Sequence, residues 1–117
     1  MAIAEIEACS GGGSSSDSGT FIYPTSAGTV TIPVKIKAST ISIVIIKDST
    51  TVGVCGCRFN SDGSQGLTWF GDTYSGGRFT LNTSALSYAR NSDNSITFTS
   101  SGSGYLGGAT AEWVAYE

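Results

Sequence analysis

From Thr29 to Lys37 the chain reads "TVTIPVKIK", with Val30, Ile32, Val34 and Ile36 on one face of an extended backbone and Thr29, Thr31, Pro33, Lys35 and Lys37 on the other. Side chains repeat every second residue only on a strand, so this stretch demands a sheet with one buried face and one wet face. Similar apolar alternation recurs along the chain, interrupted about every eight to twelve residues by turn-forming residues. "TFIY" precedes it, and "TISIVIIK", "VGVCGCRF", "LTWF", "RFTL", "LSYAR", "SITFT" and "TAEWVAYE" follow. The connections "NSDGSQG", "GDTYSGG", "RNSDNS" and "SSGSGYLGG" carry the Asn, Asp, Gly and Ser that turns favour. About eight short strands without a helical period predict an all-β fold, an antiparallel two-sheet sandwich of jelly-roll type.

Pro33 donates no ladder hydrogen bond, which places its strand at an edge or a bulge. Ile43 to Ile46 are apolar on both faces, so their strand is expected to be central and covered on both sides; exposed, it would be an aggregation hazard. Period two sends Val30, Ile32, Val34, Ile36, Ile43, Ile45, Cys55, Cys57, Ile96 and Phe98 inward, because a slip of one residue would expose each whole set.

The chemistry available to such a sandwich is limited by what it lacks. Its six Lys and Arg are scattered and its formal charge is −3, which argues against nucleic acid as a partner. No run approaches the ~18 apolar residues of a membrane span. Three cysteines make no disulfide framework; Cys55 and Cys57 share a strand face with Phe59, opposite Val52 and Val54, and are expected as small buried hydrophobes. With no histidine there is neither a ligand set for a metal nor a proton carrier near neutral pH. Asp48, Asp62, Asp72 and Asp93 fall in turns, and no nucleophile elbow or phosphate-binding glycine loop is present. Asn60, Asp62 and Gly63 do not make a calcium loop, since its first ligand would be Arg58 and its twelfth Trp69. The chain is expected to be no enzyme and to hold no cofactor or metal.

Two segments carry the functional expectations. "MAIAEIEA" has no basic residue and is too short for a secretory signal, so Cys9 is expected as an ordinary thiol rather than a lipid anchor, on a protein made in the cytoplasm. Its alternating Ala4, Ile6 and Ala8 suggest a short strand that docks on its own sheet or adds to another chain's edge, with Ile3 and Ile6 as apolar anchors; a frayed terminus is the alternative. The chain then divides into an arm over 1–9, a Gly/Ser linker over 10–19 and a sandwich over 20–117. In "GLTWFGDTYSGG", Trp69 and Tyr74 beside Asp72 suit stacking on a sugar ring with a carboxylate to accept its hydroxyls, and Tyr105 in "SSGSGYLGG" could join them. The competing expectation is that Trp69 and Phe70 are core residues and that Tyr105 and Leu106 pack beneath their loop.

The opening "MAIAEIEACSGGGSSS", the entry "GTF", the strand "GTVTIPVKIK" and the ending "AEWVAYE" together resemble small virion proteins of tailed bacteriophages and prophages of Gram-positive bacteria. The likeness is one of layout across most of the chain; "VCGC" and "ISIVII" depart from it. It implies a structural or decoration protein located in the virion, on capsid or tail, anchored by its arm and displaying its sandwich. Its partners would be other virion proteins or copies of itself in a homo-oligomer. The alternative is a module binding a carbohydrate or host receptor through Trp69, Asp72, Tyr74 and Tyr105.

Overall fold

Alternation in sequence becomes alternation in burial: Ile41, Ile43 and Ile45 are buried, while Ser42 between them is exposed and Val44 and Ile46 are half-buried. The computed structural model describes residues 15–73, 80–81, 86–102 and 104–117. Among these, the strands are β1 (Ser16–Ile22), β2 (Gly28–Ile32), β3 (Thr40–Lys47), β4 (Thr50–Phe59), β5 (Gln65–Asp72), β6 (Thr80–Leu81), β7 (Leu86–Arg90), β8 (Ile96–Ser100) and β9 (Thr110–Tyr116). All pairings are antiparallel, in a sheet ordered β1-β9-β3-β4-β5-β6 and a sheet ordered β2-β8-β7. The chain is an all-β sandwich. Late strands lie among early ones, β9 between β1 and β3 and β8 beside β2, which is the interleaving of a jelly roll. The larger sheet departs from that plan by running β3, β4 and β5 as a meander.

The inward set is the one the alternation predicts. Ile32, Val34, Ile43, Ile45, Cys55, Cys57, Ile96 and Phe98 are buried, with Val30 and Ile36 packed at the margin. Strand β2 is an edge strand that stops before Pro33, where the Val34 N–H donates to the Ile32 carbonyl at 2.8 Å across the proline. Phe98 lies at the centre of an aromatic cluster, 5.7 Å from Phe21, 5.9 Å from Tyr23 and 5.3 Å from Tyr88 between ring centroids.

Three expectations change. The sandwich begins at Ser16 rather than Thr20, so Ser16–Gly19 belong to β1 and not to a linker. Gly19 is there because the Trp113 ring lies over it: a β-carbon would come within 2.8 Å of the indole. Asp17 accepts the Lys35 N–H at 2.8 Å, and Ser15 accepts the Glu117 N–H at 3.0 Å. The rest of the proposed linker and the arm, with Ile3, Ile6 and Cys9, lie outside the described residues. Second, Val52 faces the core with Cys55 rather than away from it. The β3–β4 register steps from Ile45↔Gly53 to Ile46↔Thr51, leaving Val52 as the extra residue of a bulge, which re-aims its side chain inward. Third, β3 is central, but among the described residues it is covered on one side only, and Val44 and Ile46 on the other are half-buried.

The core holds ionisable groups in neutral form. Burial pushes the Cys55 thiol up to about 11 and raises Cys57, Tyr23 and Tyr88 as well, with a Ser100 hydrogen bond partly opposing the shift at Tyr23. The Tyr88 hydroxyl is buried without a nitrogen or oxygen partner among the described residues and lies against the Cys55 thiol, with Cys57 nearby. An acid whose folded pKa is raised stabilises fully below its unfolded value, and that stability is lost as pH rises through the folded one. The urea midpoint should therefore hold to about pH 8.5 and fall above it, with about 1 to 2 kcal/mol lost by about pH 10.5 from Cys55 alone. Equal midpoints at the two pH values would show that these groups are not buried.

Candidate functional site

Among the described residues nothing packs over the outer face of the larger sheet. Antiparallel register fixes which residues stand side by side on it. One row runs Ser16, Tyr116, Thr40, Arg58, Leu67 and the next Ser18, Val114, Ser42, Gly56, Trp69. A third runs Thr20, Glu112, Val44, Val54, Gly71, and a fourth begins Ile22, Thr110, Ile46. The exposed large apolar residues among those described are Leu67 at 67%, Ile22 at 62% and Tyr116 at 49%, and all three lie on this face. Between them Trp69, Val54, Val44 and Ile46 form a half-buried diagonal band. Isolated exposed apolar residues are ordinary, whereas a contiguous band marks an interaction surface.

Trp69 is held flat by local geometry. Its ring lies across Gly56, the neighbour in register on β4, where a β-carbon would strike the indole and sit 2.5 Å from the Ile41 carbonyl. Phe70, next along β5, points the other way and is buried. The expectation of core packing therefore holds for Phe70, while Trp69 is half-exposed.

The other expected site residues lie elsewhere. Asp72, three positions from Trp69, projects from the opposite face of β5, where its charge disfavours ionisation of Tyr23. Tyr105 is part of the same end: its hydroxyl lies 2.6 Å from Thr73 Oγ1, Lys47 Nζ sits 5.6 Å from its ring centroid, and that Nζ donates to its carbonyl at 3.1 Å. Leu106 beside it is buried under the loop, as its apolar character predicts. Tyr74 lies outside the described residues. The structure thus brings Asp72 and Tyr105 to one end of the sandwich and puts Trp69 on a different face.

At the pole of the molecule two turns with the same Asn-Ser-Asp-x-Ser sequence adopt the same form. In each, Asp accepts the N–H and hydroxyl of the second Ser, Asp62 from Ser64 and Asp93 from Ser95, and both carboxyls are held below the usual range by those bonds. Gly63 and Asn94 take the left-handed conformation at φ 87° and 77°. Arg90 joins the turns to the body, donating to Ala38 O at 2.6 Å and Ser61 O at 3.2 Å. An open polar cleft of about 450 Å³ lies here, lined by Lys37, Asp62, Arg90 and Asn91 among others. The turns tie the pole together, as the Asp residues of the sequence suggest, and the repeat was there to be read in their shared pentapeptide.

The chain matches no family model, no curated protein and no solved structure. The surface residues that sequence reasoning missed are Gly56, Arg58, Leu67 and Glu112. The alternating phase of each strand assigns them a face, but only the register between strands brings them together.

Proposed function

We propose that this chain is a non-enzymatic structural or decoration protein of a phage particle, and that it contacts its neighbours through the uncovered face of the six-stranded sheet. The observation that carries this reading is the diagonal apolar band from Leu67 through Trp69, Val54 and Val44 to Ile22. A protein that works alone in water gains nothing from leaving such a band open, whereas an assembling one buries it on its partner. The layout shared with small virion proteins supplies the kind of assembly, with the arm over 1–9 as a second point of attachment. The test is to band particles from a strain producing the chain on a density gradient and search them for it by mass spectrometry. Recovery of the chain with the particles, lost in Trp69→Lys, is the expected result; a chain that stays wholly at the top of the gradient overturns the proposal.

One observation favours the carbohydrate-binding alternative: the Trp69 ring lies flat on the sheet with its outer side turned toward solvent, as a platform for a sugar would. Asp72 and Tyr105 are not beside it, so such a site would have to draw its polar contacts from Arg58 and Ser42. A glycan array gives signals that depend on Trp69 if this alternative holds and none if the face is an assembly surface.

A further inference from the structure

We infer that the partner seated on the uncovered sheet face is a second copy of this chain, related by a two-fold axis that lies in the contact plane and passes over Ser42. This inference rests on the assembly reading and names the occupant of the surface.

Arg58 and Glu112 are the two charged side chains in the grid of rows described above; both are exposed, and neither has a partner among the described residues. They flank β3 on opposite sides, Glu112 beside Val44 and Arg58 beside Thr40. Ser42, midway between Thr40 and Val44 on β3, is therefore the midpoint between them. With strands about 4.8 Å apart and residues about 3.4 Å apart, the two charges are about 17 Å apart on one copy, too far to pair within it. A two-fold rotation about the in-plane line that bisects this separation lays Glu112 of each copy on Arg58 of the other.

The rotation fixed by the two charges also brings apolar residues together. On the flat grid it carries Trp69 onto the Val54 and Val44 pair of the second copy, and Leu67 onto the neighbourhood of Ile46. Charge meets opposite charge and the apolar band meets itself, as an isologous contact requires. Five strands by seven residues cover about 24 × 24 Å, or about 1,150 Å² for the two copies together, which clears the ~1,000 Å² of a specific interface but falls short of the ~1,600 Å² typical of stable ones. A reversible, concentration-dependent dimer is the outcome.

The test is sedimentation velocity of the full chain across about 1 to 200 µM, a range suited to an interface of this size. Wild type should shift from its 12.0 kDa monomer toward twice that mass. Arg58→Glu places like charges in both contacts and should stay monomeric, as should Glu112→Arg, while an equimolar mixture of these two variants should form a heterodimer because every contact is again Glu against Arg. Leu67→Asp serves as a further variant at an exposed site should either charge reversal fail to fold. A monomeric wild type, single variants that dimerise as well as wild type, or a mixture that stays monomeric each overturns the inference. A chain that bands with particles yet is monomeric in solution overturns this inference alone; one that dimerises but never enters particles overturns the particle reading alone.

Discussion

Phe98→Ala should lower the free energy of unfolding by about 3 to 5 kcal/mol. Phe98 is fully buried on β8, the middle strand of the smaller sheet, and its ring touches one from the opposite sheet, Phe21, and two others, Tyr23 and Tyr88. Truncation removes the transfer free energy of the ring and opens a cavity that the three rings packed around it keep from collapsing. It also forfeits tilted ring contacts worth about 0.5 to 1.5 kcal/mol each beyond burial. Ile45→Ala, on the facing sheet, should cost about 2 to 5 kcal/mol by cavity formation alone. Urea unfolding followed by far-UV circular dichroism measures both, and losses under about 0.5 kcal/mol at both positions would mean that the inward faces are misassigned.

Gly56→Ala should also be damaging, by about 1 to 3 kcal/mol, although it adds a single methyl group. The added carbon would meet the Trp69 ring on one side and the Ile41 carbonyl, 2.5 Å away, on the other. A side chain can swing aside, whereas a carbonyl inside a ladder cannot move without disturbing β3. Gly53→Ala makes the useful comparison, since its nearest neighbour is the tip of Ile45 at 3.1 Å, and it should cost less. Combining Gly56→Ala with Trp69→Ala should restore part of the loss and leave the share due to the carbonyl. Equal stability of Gly56→Ala and wild type would show that the indole does not lie on this glycine.

The core and the sandwich architecture were legible because burial on a strand is a local, period-two property: "TVTIPVKIK" and "SITFT" declare their inner faces within a few residues. What escaped was set by partners far along the chain. Ser16 to Gly19 looks like tether by composition, and only Trp113, nearly a hundred residues on, explains why a glycine belongs in that strand. Alternation alone turns Val52 away from the core, whereas a bulge inserts one residue there and inverts the phase. The carbohydrate constellation suffered from reading proximity in sequence as proximity in space. Trp69 and Asp72 are an odd number of residues apart, and on a strand such residues face opposite ways. That Arg58 and Glu112 share one surface was beyond reach, since it requires the order β9-β3-β4, which no local pattern encodes.

The bonds between Ser15 and Glu117 have a topological corollary. Ser15 and Glu117 are adjacent, so in a chain cut back to residues 15–117 a short connector between them would close the backbone into a ring without shifting either sheet. New ends could then be opened at the β3–β4 turn, where Asp48 and Ser49 are both exposed, giving a circular permutant with the same strand order in space. For the same reason this domain could be spliced into a loop of another protein as an insert, entering and leaving through one corner.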